Sequence, residues 1–192
     1  MHPKLSNITM NEKDMISKGK FLSLILRHNP SKIGLTLDEN GWAPVDILLI
    51  QLAKHHHKLT MEQLELIVET NNKKRYSFNE GKTKIRANQG HSLKDIDLGL
   101  EARIPPKILY HGTASRFLKA IMQEGINKGS RQHVHLSIDL VTAKNVGSRH
   151  GLPVILEIDA EKMQAEGFKF YCSDNGVWLT DHIPAQYLTQ LD

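Results

Sequence analysis

KILYHGTASRFLKAIMQEGINKGSRQHVHLS, residues 107–137, is the stretch on which the reading of this chain turns. Ile108, Leu109 and Tyr110 form a short apolar run that reads as a buried strand, and His111-Gly112-Thr113 is expected to break it. Phe117, Leu118, Ile121 and Met122 then recur at helical spacing, and Gly125 is placed to stop that helix. Gly129-Ser130-Arg131 leads into a second strand at residues 134–136. This order puts His111, Thr113, Arg131 and His135 at strand edges and loop mouths, where scaffolds present chemistry.

Working outward, the 192 residues suit one domain or two small ones. With 40% hydrophobic and 24% charged residues, the chain reads as globular rather than disordered. A net charge of +4 permits an anionic partner without requiring one. Cys172 is the only cysteine, so neither an intrachain disulfide nor a cysteine-based zinc site is available. No apolar signal core and no membrane-length apolar run is found, so the expected location is the cytoplasm.

Towards the N-terminus, Ile16, Phe21, Leu24 and Ile25 predict a helix over residues 12–28, ended by Asn29-Pro30. Arg27 and His28 occupy its last turn, where the helix dipole favours cations. Leu35-Thr36-Leu37 alternates, and Pro44 opens a second helix over residues 45–53. His55-His56-His57 reads as a solvated loop, because adjacent residues point apart and lack a further ligand. Thr60 and Gln63 make a capping box for a third helix. A hairpin over residues 76–87, turning at Asn79-Glu80-Gly81, follows. Three helices and a basic hairpin are the order of a winged-helix module. Lys73, Lys74, Arg75, Lys82, Lys84 and Arg86 are expected to crowd one edge, where such a cluster neutralises phosphates.

Acidic residues and Pro105-Pro106 mark a linker over residues 93–106, which sets expected domains at 1–100 and 101–192. Beyond the opening stretch, Asp139 and Asp159 are placed to cap short helices. Strands are expected at residues 153–158, 168–171 and 177–179, and Ile183-Pro184-Ala185 leads to the end. The fold class is therefore α+β.

Several motifs in this order resemble the RNA 2′-phosphotransferase family, the KptA-type tRNA 2′-phosphotransferases. They are Leu26-Arg27-His28, Gly41-Trp42, Lys74-Arg75-Tyr76, Ala87-Asn88-Gln89-Gly90-His91-Ser92, Leu109-Tyr110-His111-Gly112-Thr113, Arg131 with His133-Val134-His135-Leu136-Ser137, Arg149-His150-Gly151 and Asn175-Gly176-Val177-Trp178-Leu179. Each is unspecific alone; together they are highly specific, and they span nearly the whole chain.

The resemblance implies an N-terminal winged-helix lobe and a C-terminal lobe of ADP-ribosyltransferase fold, with the active site between them. It implies a two-step reaction of tRNA splicing. An internal RNA 2′-phosphate attacks C1″ of NAD⁺ and expels nicotinamide, giving a 2′-phospho-ADP-ribosylated RNA. The ribose O2″ then attacks the phosphate, giving 2′-hydroxyl RNA and ADP-ribose 1″,2″-cyclic phosphate. Arg27, His28, Arg75 and Arg131 match the family's catalytic set. His111, Gly112, Thr113, Ser115, His135, Ser137, Arg149 and Val177 fall at cofactor-binding positions, and Lys73, Lys74 and Arg86 at RNA-binding ones. Val177 stands where protein-modifying relatives have a glutamate. The implied partners are 2′-phosphorylated RNA and NAD, with no metal and no membrane, and the chain is expected to be a monomer.

Two other readings share parts of this pattern. One is an ADP-ribosyltransferase that stops after the first step and caps a nucleic-acid phosphate. The other is a winged-helix nucleic-acid binder whose second lobe senses a dinucleotide. The full Arg27-His28-Arg75-Arg131 set separates the main reading from both.

Overall fold

The first helix, α1 (Glu12–Arg27), starts where the Asn11 side chain accepts the Asp14 amide, with Glu12 and Asp14 facing the positive end of its dipole. It buries Leu22, Ile25 and Leu26 and ends at His28. The chain then tightens into a 3₁₀ turn, Pro30–Ile33, because Asn29 accepts the Lys32 amide and Gly34 takes a left-handed φ of 66°. These segments belong to a computed structural model that describes residues 10–191. Its backbone falls into two units, Met1–Leu98 and Gly99–Asp192.

In the first unit, α1 is followed by β1 (Trp42–Pro44), α2 (Val45–Lys54), α3 (Met61–Glu69), β2 (Tyr76–Phe78) and β3 (Lys84–Ala87). The strands form an antiparallel sheet in the order β1-β3-β2, with Trp42 opposite Arg86 and Tyr76 opposite Ala87. Leu22, Ile25 and Leu26 pack with Leu48, Leu52, Leu64, Ile67 and Ile85 into one core. One alternating run is not a strand, and one strand was not anticipated. Leu35-Thr36-Leu37 forms no strand, and Trp42–Pro44 does. A three-residue strand carrying proline shows no period of its own; it exists through its pairing with β3.

The capping box is present in both directions, Gln63 N to Thr60 Oγ1 at 3.2 Å and Thr60 N to Gln63 Oε1 at 3.1 Å. Thr60→Ala is expected to cost about 1 kcal/mol. A denaturant titration that finds no change would show that tertiary packing alone fixes the start of α3.

The second unit contains β4 (Ile108–Ala114), α4 (Ser115–Glu124), β5 (Ile126–Asn127), β6 (Val134–Leu136), α5 (Leu140–Gly147), β7 (Pro153–Asp159), α6 (Ala160–Ala165), β8 (Phe170–Cys172), β9 (Trp178–Thr180), β10 (His182–Ile183) and β11 (Leu188–Leu191). Two three-stranded sheets run β11-β7-β4 and β6-β9-β8, and β10 pairs with β5, all antiparallel. Asp139 and Asp159 cap α5 and α6 by accepting the Thr142 and Lys162 amides. Gly125 ends α4 with φ 82°.

His111-Gly112-Thr113 does not break β4, contrary to the sequence expectation. The strand runs on to Ala114, pairing residue by residue with β7 from Ile108↔Asp159 to Ala114↔Pro153. Gly112 sits inside it because helix α5 crosses there. A Cβ at Gly112 would lie 1.7 Å from the Ala143 carbonyl oxygen. The terminal strand β11 and the pair β10/β5 were not anticipated; each is short and held by a distant partner.

Candidate active site

In the first unit, cationic side chains gather where α1 ends and the sheet begins. Arg27 is the last residue of α1, and His28 is its cap. Arg75 immediately precedes β2, where its backbone amide and Nη1 both donate to Asn71 Oδ1, at 3.2 and 3.4 Å. Tyr76 lies between them. Burial raises its pKa, while Ser23's hydrogen bond and the charges of Arg27 and Arg75 pull it down. Its hydroxyl is held by Ser23 Oγ and the Gly19 carbonyl, each at 2.6 Å. Arg86 joins from β3, its guanidinium stacked over the Trp42 ring 4.6 Å from the centroid.

His91 reports on the same cluster. It is 1% exposed, and its pKa is pushed down from 6.5 to about 4. Burial is the main cause, followed by the charges of Arg27, His28 and Arg86. The Leu26 backbone favours the cation but lies outside hydrogen-bonding geometry, and neither ring nitrogen has a hydrogen-bond partner among the described residues. Arg27, His28, Arg75 and Arg86 are therefore brought together. Lys73 and Lys74 are exposed beside Arg75. The basic edge is weaker than the sequence suggested: Lys82 is paired with Glu65 at 2.7 Å, and Lys84 with Asp38 at 3.1 Å.

In the second unit, β4 carries His111 and Thr113 on one face, since strand residues alternate. β6 lies alongside, joined by reciprocal backbone bonds of 2.8 Å between Tyr110 and Ser137. His111 Nδ1 is 3.0 Å from the His135 carbonyl. Only an N–H can meet a carbonyl, so Nδ1 carries the hydrogen. Burial holds the His111 pKa below the usual histidine value; the His135 carbonyl opposes this, and the Arg131 charge adds to it. His111 is thus neutral near pH 7, with Nε2 as an acceptor. Arg131 Nη1 lies 3.4 Å from His135 Nδ1, which brings Arg131, His135 and His111 into one group.

The remaining candidates are placed less centrally. Thr113 is buried at 7% exposure. Ser115 is exposed at the start of α4, its amide bonded to the Leu152 carbonyl at 2.9 Å. Arg149 is exposed in the 3₁₀ turn Ser148–His150. Val177 precedes β9 in a tight loop, exchanging bonds of 3.0–3.1 Å with Ser173. Among the described residues, no group of three His, Cys, Asp or Glu side chains is disposed to hold a metal. His57 is not simply solvated: its ring stacks on Phe21 at 3.5 Å between centroids.

Against known proteins, residues 13–182 match the model of the family described as RNA 2′-phosphotransferase, Tpt1 / KptA family. The chain belongs to the RNA 2′-phosphotransferase family. It is similar to a protein of Fusobacterium nucleatum at 56% identity, over 90% of this chain and 97% of that protein. A Flavobacterium johnsoniae protein is 53% identical over 93% and 98% of the two chains. A Pseudomonas fluorescens protein is 50% identical over 95% and 100%. All three carry the name "Probable RNA 2′-phosphotransferase".

In this RNA 2′-phosphotransferase family member, three residues near the cations have roles that sequence reasoning did not assign. They are Tyr76 between the arginines, Asn88, and Ser92, whose Oγ lies 3.0 Å from His28 Nδ1. The motif holding Asn88 and Ser92 was visible, but their partners are far away in sequence.

His91 also gives the family member a predicted acid sensitivity. Below pH 6.5 the unfolded chain takes up a proton that the folded one refuses until about pH 4. Stability is lost as pH falls through this window, by roughly 3 kcal/mol once both states are protonated. His91→Leu is expected to flatten that limb, leaving any contributions of His57 and His111, whose pKa values burial also lowers. Denaturant midpoints measured from pH 7 to pH 4 check it; parallel curves for the two proteins would refute it.

Proposed function

We propose that this chain removes an internal 2′-phosphate from RNA in an NAD-dependent reaction, through a 2′-phospho-ADP-ribosylated RNA. The observation that carries the reading, beside family membership, is the gathering of Arg27, His28, Arg75 and Arg86 around Tyr76 and His91. Like charges brought this close repel one another, and a phosphate dianion among them relieves that repulsion. The N-terminal unit is read as the winged-helix lobe that presents RNA. The C-terminal unit is read as the ADP-ribosyltransferase-type lobe that takes NAD.

The donor set suits a dinucleotide. Neutral His111 offers an acceptor at Nε2, fixed by its Nδ1 contact, and Thr113 offers a hydroxyl on the same strand face. These residues hold the nicotinamide-side ribose and amide, and His135 flanks them. NAD supplies an electrophilic C1″ with a good leaving group. The RNA phosphate oxygen bonds to C1″ as the bond to nicotinamide breaks. In the second step the ribose O2″ bonds to phosphorus and the bond to the RNA O2′ breaks, so a proton passes from O2″ to O2′. The family resemblance assigns Arg27, Arg75 and Arg131 to neutralising the phosphate oxygens in both steps, the task magnesium performs in many phosphoryl-transfer enzymes. His28 is the hydrogen-bond donor or proton carrier among them.

Val177 fits this assignment. A carboxylate there repels the incoming dianion and engages the 2″-hydroxyl that must later attack. Val177→Glu is expected to slow the reaction at least about tenfold, corresponding to about 1.4 kcal/mol. Rapid-quench rates equal to those of the unsubstituted protein would remove this explanation.

Mass analysis of the RNA products tests the function and separates its rivals. The proposal expects RNA lighter by one phosphate, with one nicotinamide released per RNA. ADP-ribosylated RNA that persists with the intact protein would instead identify a capping enzyme. RNA bound without chemical change would identify a binding protein.

A further inference from the structure

Residues 88–92 connect the two sources of cationic groups in the N-terminal unit. The segment leaves β3, the central strand of its sheet. At its first residue, the Asn88 amide donates to the Arg75 carbonyl at 2.9 Å, and Asn88 Nδ2 donates to the Lys74 carbonyl at 2.7 Å. Lys74 has an unusual φ of 40°, so this turn sits in a sparsely populated backbone region. Gly90 turns the chain with φ 85°. At the far end, the Ser92 amide donates to the Arg27 carbonyl at 3.0 Å, and Ser92 Oγ meets His28 Nδ1 at 3.0 Å. Between them His91 fills the interior; even a Cβ on Gly41 would come within 3.4 Å of its Nε2. Asn88, at 4% exposure, is equally buried.

We propose that residues 88–92 form a two-ended clamp that positions the catalytic cations, Ser92 fixing the tautomer of His28 and Asn88 seating Arg75. In this clamp Ser92 Oγ takes the accepting role of the two its hydroxyl could play towards His28 Nδ1, and the ring titration below reads which one it plays. A neutral imidazole has only one N–H, so this choice leaves Nε2 as its basic nitrogen. On protonation, Nδ1–H stays on Ser92 and Nε2–H becomes a donor for a phosphate oxygen. Neither Ser92 nor Asn88 is asked to touch the substrate; each acts through its neighbour. The anchoring is strong because both ends are tied through backbone groups of the arginine-bearing segments, and one end starts on a paired strand.

Two measurements decide the clamp. The first is ¹⁵N NMR of the His28 ring across a pH titration. The expected neutral form is Nδ1–H in the unsubstituted protein, switching to Nε2–H in Ser92→Ala, with Ser92→Thr retaining Nδ1–H. The second is turnover on 2′-phosphorylated RNA with NAD. Ser92→Ala is expected to lose about 10- to 100-fold in kcat with the RNA KM changed less, while Ser92→Thr recovers most of it. Asn88→Asp, which puts an oxygen against the Lys74 carbonyl, is expected to lose a similar factor. An unchanged His28 tautomer, or full turnover in either Ser92→Ala or Asn88→Asp, overturns the clamp. The turnover arm rests on the proposed reaction, and the NMR arm does not. An unsubstituted protein without NAD-dependent turnover would sink the reaction, while the tautomer would still decide the role of Ser92.

Discussion

Gly112→Ala is expected to unfold the C-terminal unit or lower its melting temperature by more than ten degrees. The new Cβ would lie 1.7 Å from the Ala143 carbonyl oxygen, 2.6 Å from the carbonyl carbon and 2.9 Å from the Gly147 amide nitrogen. All three are helix backbone atoms, so no side-chain rotation relieves the clash. Neither partner moves freely. β4 is tied to β7 along its whole length, and Gly147 of α5 is itself placed so that a Cβ would be 2.6 Å from the Thr113 carbonyl. Separating strand and helix opens the packing around Ala143, which is fully buried. Overpacking of an interior costs 1–3 kcal/mol when side chains can adjust, and the rigid case here is expected at about 3 kcal/mol or more. In a unit of this size each kcal/mol moves the midpoint by about 4–8 °C. Thermal melts followed by circular dichroism check this; a variant melting within about five degrees of the parent would show that α5 yields easily. The resemblance places the same glycine at a cofactor-binding position, and the close approach of α5 gives it a packing role as well.

The second large effect is on chemistry. Arg75→Ala is expected to slow phosphate removal by about 10²–10³-fold, the loss of about 3–4 kcal/mol typical of removing one preorganised donor. ADP-ribosylated RNA is expected to accumulate, because in the proposed reaction the second step builds a crowded five-coordinate phosphorus centre, whereas the first only joins a phosphate oxygen to C1″. Folding should be little affected. The Arg75 side chain bonds to Asn71 and is not part of the core, which is supplied by α1, α2, α3 and the sheet. Gel separation of the RNA during a time course checks the result. A variant with the rate of the parent, or a variant slowed without the adduct, would remove Arg75 from the second step.

Local chemistry was legible in the sequence wherever a few neighbouring residues decide the structure. Thr60 and Gln63 announced the start of α3, Asp139 and Asp159 the starts of α5 and α6, and Gly125 the end of α4. The 3.6-residue period marked α1, and Pro44 marked the start of α2. What escaped were features decided by distant partners. β1, β10 and β11 are too short to show a period and exist through β3, β5 and β7. His111-Gly112-Thr113 has loop-like composition, but β7 holds it extended. The site divides in the same way. Arginine and histidine candidates stood out by residue type. Their supports, Asn71 for Arg75, Ser92 for His28 and the His135 carbonyl for His111, are common residues whose meaning comes only from contact. Lys82 and Lys84 show the reverse, basic residues whose charges are met within the chain by Glu65 and Asp38.

The central claim is that an RNA 2′-phosphate is moved onto the ribose of NAD rather than released to water. It is tested by placing a radioactive phosphorus in the internal 2′-phosphate of a short RNA and following the label with and without NAD. The account predicts that all label stays on RNA without NAD and that, with NAD, it leaves as ADP-ribose 1″,2″-cyclic phosphate. Label appearing as inorganic phosphate, or leaving the RNA without NAD, would contradict it.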